Sequence, residues 1–312
     1  MPRLPDRNVF YLNRLGLTPL TPIRMGEGEP VIWCKLEFLN PSGSTKDRIA
    51  RFILEKAWRE GRIAHGSIVA EASSGSTSIA MALACAQLGT RFIAVMPEGV
   101  SNERVLIIKG YGGEIRLTPR EGGILAAIAE TERLAAEMGA FLPRQFANPD
   151  NAEAHRMATA REIVDQIPGG AVDAVVSGVG TGGTLVGLYQ GFRDAGCPVV
   201  PVCVRPVDLQ GTAPEIECCS FSARIPGVVD CVSKIFRPSV LPGLRTLEIR
   251  DLEAMETTRE LMRLGFPVGP SSGLNYRAAV EIARSMPGAQ VVTVFPDRME
   301  RYFTTELFGR FR

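Results

Sequence analysis

The sequence predicts an α/β fold in which mainly parallel sheets are covered by helices. Short apolar runs, such as residues 91–96 and 290–295, alternate along the 312-residue chain with longer segments whose apolar residues recur at helical spacing. Turn-forming residues separate the two kinds of segment. Because strands that alternate with helices pair in parallel, functional residues are expected at the carboxyl ends of the strands.

Seven strands and a set of helices follow in chain order. The predicted strands are residues 31–37, 67–70, 91–96, 114–117, 174–177, 199–204 and 290–295. The predicted helices include residues 102–111, 122–138, 151–166 and 274–285, with others starting near residues 46, 79 and 185. We find no repeat, low-complexity segment or linker.

A turn-forming segment places a single lysine, Lys46, at the start of a helix. Pro41 and Gly43 end the preceding strand, and Ser44 or Thr45 can cap the helix. The helix dipole and the lack of solvent should both lower the pKa of Lys46. An amine of lowered pKa can form a Schiff base. Most lysines of a first helical turn are nevertheless solvated, so the interpretation depends on further segments.

A glycine-rich loop, residues 178–184, joins the strand at 174–177 to a helix. Its glycines and the amides of the helix start suit a phosphate group. The loop is not a Walker motif, because no Lys-Ser or Lys-Thr ends it. A dinucleotide fingerprint is disfavoured because Arg205 stands where an acidic residue is wanted. The alternative is a tight turn without a ligand.

Two hydroxyl-rich segments complete the pattern. Residues 71–78 run from a strand end into an apolar helix, and their hydroxyls and amides suit a small carboxylate. Residues 269–273 form a predicted loop before the helix that begins at Leu274. Taken singly, the first segment could be an ordinary helix cap and the second a turn.

Together these segments resemble the fold type II pyridoxal-phosphate enzymes, and within them the cysteine synthase and cystathionine β-synthase branch. Seven matches occur in the family's order and span nearly the whole chain: residues 18–20, 40–48, 73–78, 145–149, 180–184 and 271–273, and Pro296-Asp297 with Arg301-Tyr302. The resemblance implies a two-lobed fold, each lobe with a twisted, mainly parallel sheet. The small lobe would comprise residues 42–148, and the large lobe residues 1–41 and 149–312.

The resemblance also implies the cofactor, pyridoxal 5'-phosphate, and the residues that bind it. Lys46 would hold it as an internal aldimine, Ser271 would bond the pyridine nitrogen, and Ser76 replaces the family's cofactor-facing asparagine. The implied phosphate site is Gly180, Thr181, Gly182, Gly183 and Thr184. The implied site for the substrate's α-carboxylate is Ser73, Ser74, Gly75, Thr77 and Gln145.

The neutral hydroxyl of Ser271 would leave the pyridine nitrogen unprotonated, which favours loss of a β-substituent over transamination. The implied reaction is β-replacement on an O-activated L-serine through an aminoacrylate, as in a cysteine synthase acting on O-acetylserine or O-phosphoserine. Other transferase or lyase readings remain open: L-cysteine desulfhydration by β-elimination, cystathionine synthesis, and a diaminopropionate-pathway synthesis with an amino-acid nucleophile. A non-catalytic scaffold is a remote alternative, disfavoured by the intact Lys46 and glycine loop.

Three residues depart from the family pattern near the second substrate. Val229 replaces a glycine, and Arg298 and Met299 stand where small residues are common. With Arg224, Arg298 could bind a carboxylate or phosphate through paired hydrogen bonds. We therefore predict that one or both arginines recognise an anionic reactant, against the alternative that both are surface residues.

Bulk composition agrees with a soluble metabolic enzyme, and the resemblance implies small amino-acid substrates. The 35 basic and 34 acidic residues nearly cancel, so we expect no nucleic-acid partner. We also expect no membrane segment, a cytoplasmic location and, from the family, a homodimer. The seven cysteines show no metal spacing and are expected to be reduced, although Cys218-Cys219 could be redox-active. His65 and His155 are too few for a zinc site and are expected at the surface.

Overall fold

A computed structural model describes residues 16–209, 222–228 and 232–311 and contains two sheets. Its strands are β1 Leu20–Ile23, β2 Ile32–Lys35, β3 Ile68–Ala72, β4 Arg91–Pro97, β5 Glu114–Thr118, β6 Ala174–Gly178, β7 Val200–Val207, β8 Arg245–Arg250 and β9 Val291–Val294. The six-stranded sheet has the order β1-β2-β9-β6-β7-β8, and the three-stranded sheet has the order β3-β4-β5. Among the strands of the described residues, only β1 and β2 pair antiparallel. The predicted α/β class is confirmed.

Helices cover both faces of each sheet. They are α1 Lys46–Arg59, α2 Ser76–Leu88, α3 Asn102–Gly110, α4 Gly123–Met138, α5 Asp150–Ala154, α6 Ala160–Gln166, α7 Gly183–Asp194, α8 Asp251–Arg263 and α9 Pro270–Ser285. Along β6, Val175 faces the core beneath α7, whereas Val176 faces the core beneath α9. Along β3, Val69 and Ala70 alternate in the same way between two cores. This burial on both faces explains why the central strands are continuous apolar runs.

All seven predicted strands are present, and two further strands were not predicted. Both lie at edges of the large sheet, β1 at one end and β8 at the other. Four of the six residues of β8 are exposed, so its sequence lacks an apolar run. The large sheet takes strands from both ends of the chain, and the small sheet lies within residues 68–118. The lobe boundaries at residues 42 and 148 stay a prediction.

One predicted boundary was wrong, and one predicted helix contains an irregular segment. Helix α9 begins at Pro270, so residues 271–273 form its first turn and are not a loop before it. Proline suits this position because its missing N–H would have no partner inside the helix. The predicted helix at 151–166 is interrupted by a π-helical segment, His155–Thr159, between α5 and α6.

Gly273 lies where α8 and α9 meet, and a Cβ there would overlap with the Ala254 carbonyl oxygen and the Thr258 hydroxyl. We expect Gly273→Ala to lower the free energy of unfolding by roughly 1–3 kcal/mol through overpacking. The control is Gly110→Ala, whose added Cβ would have no atom within 4 Å beyond its own helix backbone and its chain neighbours. It should raise the free energy of unfolding by up to about 1 kcal/mol. Urea unfolding checks both, and an unchanged Gly273→Ala midpoint would contradict the packing argument.

Candidate active site

A cavity of about 510 Å³ lies between the two sheets, beyond the carboxyl ends of β3 and β6. Eleven residues proposed from the sequence line it: Lys46, Ser73, Ser74, Ser76, Thr77, Gln145, Gly180, Thr181, Gly182, Thr184 and Ser271. The remaining two, Gly75 and Gly183, do not line the cavity and instead pack against Arg104 and Asn151. Segments far apart in sequence therefore converge at the place expected for a site in an α/β fold.

Lys46 is the first residue of α1 and lines the cavity. Its ammonium group makes no hydrogen bond or salt bridge with any described residue. Burial lowers the pKa of Lys46, and the negative charges of Asp297 and Glu37 only partly oppose this effect. A lysine amine of lowered pKa that lines a cavity has the properties that Schiff-base formation requires.

A buried group of four charges fixes the start of α1. Both Arg48 and Glu162 lie in helices, and their side chains form two hydrogen bonds of 2.7 and 2.8 Å. Arg48 also donates to both carboxylate oxygens of Glu37 at 2.6 Å. Lys35 pairs with Glu162 at 2.8 Å. Two positive and two negative groups thus balance within the core, which buried charges require.

The glycine loop lines the cavity and has backbone amides without partners in the described structure. Gly182 has a φ of +79°, a conformation that favours glycine. The amides of Gly180, Thr181 and Gly182 have no acceptor among the described residues. Asn151 holds the loop from behind by donating to the Thr181 hydroxyl at 3.0 Å. Free amides at the N-terminus of a long helix, α7, fit a phosphate group.

His155 lies behind this loop, and the expectation of a surface histidine was wrong. Its side chain is fully buried, with Nδ1 3.0 Å from Thr159 Oγ1 and Nε2 3.2 Å from Thr184 Oγ1. Burial lowers the pKa of His155 to about 3, so the ring is neutral. The π-helical break that faces it toward the loop has no clear signature in the sequence.

The hydroxyl-rich loop is fastened to Gln145. Thr77 donates to Gln145 Oε1 at 2.6 Å, and Gln145 Nε2 donates to the Ala72 carbonyl at 2.6 Å. The Ser73 hydroxyl accepts the Gly75 amide at 3.0 Å. Beneath the loop, burial raises the pKa of Glu71 to about 8. Glu71 therefore carries a proton at neutral pH and does not repel an anionic substrate group nearby.

Ser271 and Ser272 differ in what they face. Ser271 lines the cavity and has no hydrogen-bond partner among the residues described. Ser272 is fully buried, does not line the cavity, and its hydroxyl also lacks a partner in that set. One turn further, Asn275 accepts the Gly178 amide at 2.7 Å and donates to the Val294 carbonyl at 2.8 Å. These bonds fix the start of α9 against the ends of β6 and β9.

Ser76 is bonded across the cavity. Its hydroxyl donates to Asp297 Oδ2 at 2.8 Å, and the same oxygen accepts the Tyr302 hydroxyl at 3.0 Å. Sequence reasoning gave Asp297 no role. Its position just beyond the carboxyl end of β9 was the signal that could have marked it.

The structure does not support the prediction that Arg224 or Arg298 binds a reactant. Arg224 lines the cavity, but it already pairs with Asp251 at 3.1 Å and Glu306 at 2.9 Å. Arg298 lies outside the cavity lining and pairs with Glu300 at 2.7 Å. Sequence alone does not show these carboxylate partners. Val229, the third departure, lies outside the described residues.

Arg104, which sequence reasoning missed, is the basic side chain best placed in the cavity wall. It is 7% exposed, and no ion pair joins it to a described carboxylate. One guanidinium nitrogen donates to the Ser74 carbonyl at 3.3 Å, and the group lies 5.3 Å from the centre of the Tyr302 ring. Its Nε is buried without a partner in the described structure. The guanidinium thus keeps donors for an anionic group.

The remaining expectations concern thiols, metals and membranes. Cys34, Cys85, Cys197 and Cys203 are buried free thiols. Cys218, Cys219 and Cys231 lie outside the described residues, so a redox role for the adjacent pair stays a prediction. Within the described ranges, His, Cys, Asp and Glu side chains form no cluster suited to a metal ion, and no helix is long and apolar enough to cross a bilayer.

The charge cluster predicts a specific acid sensitivity. Burial opposes the charge of Glu37, but Arg48 and Thr18 outweigh it and lower the pKa of Glu37 to about 2, from 4.5. As pH falls from 4.5 toward 2, the unfolded chain takes up a proton that the fold excludes, so stability falls by about 1.4 kcal/mol per pH unit. The Glu37→Gln variant should be less stable than the wild type near neutral pH. Its stability should lack this dependence on pH.

Urea unfolding at a series of pH values between 5 and 3 measures that slope. Glu114→Gln is the control, because it removes only an exposed ion pair with Arg91 and should change stability by less than about 1 kcal/mol. Equal acid slopes in the wild type and Glu37→Gln would show that Glu37 does not supply the effect.

Comparison with known proteins agrees with this geometry. The pyridoxal-phosphate dependent enzyme family matches residues 12–297. A cysteine synthase from Staphylococcus aureus is 36% identical over 318 positions, covering 99% of each chain. The solved structure of an O-ureido-L-serine synthase has 33% identity and a TM-score of 0.86, covering 96% of this chain and 95% of that chain. An O-acetylserine dependent cystathionine β-synthase from Helicobacter pylori has 31% identity and a TM-score of 0.85, covering 96% and 98%.

The matched region contains the lysine at the start of α1, the glycine loop and the hydroxyl-rich loop. A family match over most of the chain and relatives above 30% identity therefore agree with the site. The chain belongs to the pyridoxal-phosphate dependent enzyme family, in its cysteine synthase and cystathionine β-synthase branch.

Proposed function

We propose that this enzyme makes cysteine by β-replacement, with an O-activated L-serine as the first substrate and sulfide as the nucleophile. The observation that carries the proposal is the free Lys46 amine, which shares one cavity with a phosphate cradle and a carboxylate loop. The cofactor is pyridoxal 5'-phosphate. When bound, it withdraws electrons from the substrate's Cα and so eases the loss of the Cα proton.

The chain's own residues then have distinct roles. Lys46 would hold the cofactor through its amine, and once the substrate's own amine has displaced it, the Lys46 amine would take the Cα proton and later return it. The amides of loop 180–184 and the Thr184 hydroxyl hold the phosphate. The site for the substrate's α-carboxylate consists of Ser73, Ser74, Gly75, Thr77 and Gln145. Ser271, which lacks another partner in the described structure, bonds the ring nitrogen and leaves it uncharged.

The choice of sulfide depends on the charges around the second reactant. Arg224 is the arginine on the wall nearest the family's entry loop, and it is neutralised by Asp251 and Glu306. A small nucleophile without a carboxylate needs no free cation on that wall. The similarity to a cysteine synthase over the whole chain supports the same choice.

A second candidate is an amino-acid nucleophile, as in a cystathionine synthase. Arg104 favours it, because a nearly buried guanidinium without an ion pair to any described carboxylate can bind a substrate carboxylate. The similarity to an O-acetylserine dependent cystathionine β-synthase points the same way. We also propose, from the family, a homodimer located in the cytoplasm.

Lys46→Ala tests the cofactor assignment. Without the amine, the protein should lose the visible absorption band of lysine-linked cofactor, and turnover should fall by roughly 10³-fold or more. Lys109→Ala, an exposed lysine at the end of α3, is the control and should keep both. Borohydride reduction followed by peptide mapping provides the independent check. A modified lysine anywhere other than position 46 would overturn the assignment.

Arg104→Met decides between the two nucleophiles. With O-activated serine saturating, we expect the wild type to prefer sulfide over homocysteine, and the ratio of their kcat/KM values to stay unchanged in the variant. A selective loss of about 1.5–3 kcal/mol for homocysteine would instead favour the amino-acid nucleophile, since that is the contribution of a charge-assisted hydrogen bond. Arg298→Met is the matched control, because it removes an arginine outside the cavity lining.

A further inference from the structure

Arg104 lies against the hydroxyl-rich loop and brings a nearly buried positive charge to it. It is the third residue of α3, and its guanidinium lies 5.3 Å from the centre of the Tyr302 ring. Gly75 permits this approach, because a Cβ at position 75 would overlap with the Arg104 side chain. Gly75 also has a φ of +155°, a conformation that favours glycine. The arginine is therefore packed directly on the backbone of the loop.

Hydrogen bonds beside Arg104 fix the start of α3. Ser101, the residue before the helix, donates to the Arg301 carbonyl at 3.2 Å. Glu103 accepts the Thr304 amide at 2.6 Å and the Thr304 hydroxyl at 2.8 Å. These bonds join the first turn of α3 to the segment that follows β9. Because the turn is held in this way, the Arg104 side chain remains in the cavity wall.

The charge of Arg104 has no counter-charge at bonding distance in the described structure. The residue is 7% exposed, and no described carboxylate oxygen lies within 4 Å of a guanidinium nitrogen. Glu103 uses both of its oxygens for Thr304, and Asp297 accepts two hydroxyl groups. A buried charge without a partner is costly. A cation that the fold keeps unpaired at a cavity therefore indicates an anionic ligand there.

The hydroxyl-rich loop, in contrast, offers only neutral groups to a carboxylate. The Thr77 proton is used by Gln145, and the Ser73 hydroxyl already accepts an amide. One N–H of the guanidinium reaches the Ser74 carbonyl at 3.3 Å. The other four of its five N–H donors have no acceptor among the described residues. A guanidinium with free donors can bind a carboxylate through paired, charge-assisted hydrogen bonds.

We propose that Arg104 is a further substrate-binding residue, the cation of the α-carboxylate site: its free guanidinium donors pair with the carboxylate that the hydroxyl-rich loop binds. The inference rests on the proposed assignment of that loop to the first substrate's α-carboxylate. It also defines the class of ligand. The site selects amino acids with a free carboxylate over amino acids whose carboxyl group is an uncharged amide.

Binding of L-alanine and of L-alaninamide to the holoenzyme tests the inference. Neither ligand has a β-leaving group, and the amide lacks the negative charge. Their dissociation constants are measured from the change in visible absorption of the bound cofactor. We expect Arg104→Met to weaken L-alanine binding roughly 10- to 100-fold and to leave L-alaninamide binding unchanged. A structural role would weaken both ligands equally, and that result would overturn the inference.

Arg120→Met is the matched control, because Arg120 is an exposed arginine that also lines the cavity. It should leave both constants unchanged. The same selective loss in this control would assign the effect to the overall charge of the cavity and overturn the inference.

Arg104→Lys keeps the charge and the apolar stem but lacks the planar pair of donors. It should lose part of the affinity for L-alanine and none for L-alaninamide. This variant decides the question if Arg104→Met does not fold, since an L-alanine constant equal to that of the wild type would contradict the paired hydrogen bonds.

Ser74→Ala, a change in the loop itself, separates this inference from the proposed function. If Ser74→Ala weakens L-alanine selectively and Arg104→Met does not, the role of Arg104 fails while the loop assignment stands. If neither variant discriminates between the two ligands, both fail. If Arg104→Met spares L-alanine but lowers kcat/KM for homocysteine, the cation serves an amino-acid nucleophile, and the inference is overturned.

Discussion

The buried ion pairs of Arg48 are the interaction on which the site depends. Arg48 lies two residues after Lys46, and its guanidinium is held by Glu37, just beyond β2, and by Glu162 of α6. The start of α1 is thereby fixed to elements from the N-terminal part and from the middle of the chain. Because Lys35 completes the balance of charges, this cluster has no spare carboxylate to neutralise Lys46. The same network thus places the reactive amine and leaves it without a partner from the cluster, which is the condition a Schiff-base lysine needs.

The hydroxyl-rich loop and the glycine loop, which we propose as the two anion sites of the cavity, have one feature in common. Behind each lies a buried titratable side chain that the fold keeps uncharged. Glu71 supports the carboxylate loop and stays protonated at neutral pH, because burial raises its pKa to about 8. His155 supports the glycine loop and stays neutral, because burial lowers its pKa to about 3. The groups that these two loops themselves offer to an anion are therefore amides and hydroxyls, several of which are oriented by hydrogen bonds. Neutral donors of this kind select for shape and position as well as for charge.

The buried strands of the two sheets were predicted from the sequence better than the edge strands and the ion pairs. Central strands are buried on both faces and so appear as apolar runs. Four of the six residues of β8 are exposed, so its sequence lacks such a run and the strand was missed. Lys46, the glycine loop and the hydroxyl-rich loop, which we propose as the site, stood out in the sequence because they combine particular residue types in consecutive order, and the fold brings them to one cavity. The burial of His155 depends on a π-helical break and on Gly187 of another helix, and neither is visible in a local pattern. The carboxylates that occupy Arg224 are likewise distant in sequence, so its surroundings could only be read from the fold.

The close approach of α7 to its neighbours has a consequence for protein engineering. Gly183, Gly187 and Gly191 recur every fourth residue and lie on one side of α7. A Cβ at these positions would overlap with Asn151, Ala152 or Ala160. A side chain at any of these positions would have to push α7 away from its neighbours, and the loop at its N-terminus would move with it. Mutant libraries that aim to change the cofactor or enlarge the pocket should leave these three positions intact. Diversity on this helix belongs on its outward face, for example at Gln190 and Arg193, where side chains have room and the loop geometry is untouched.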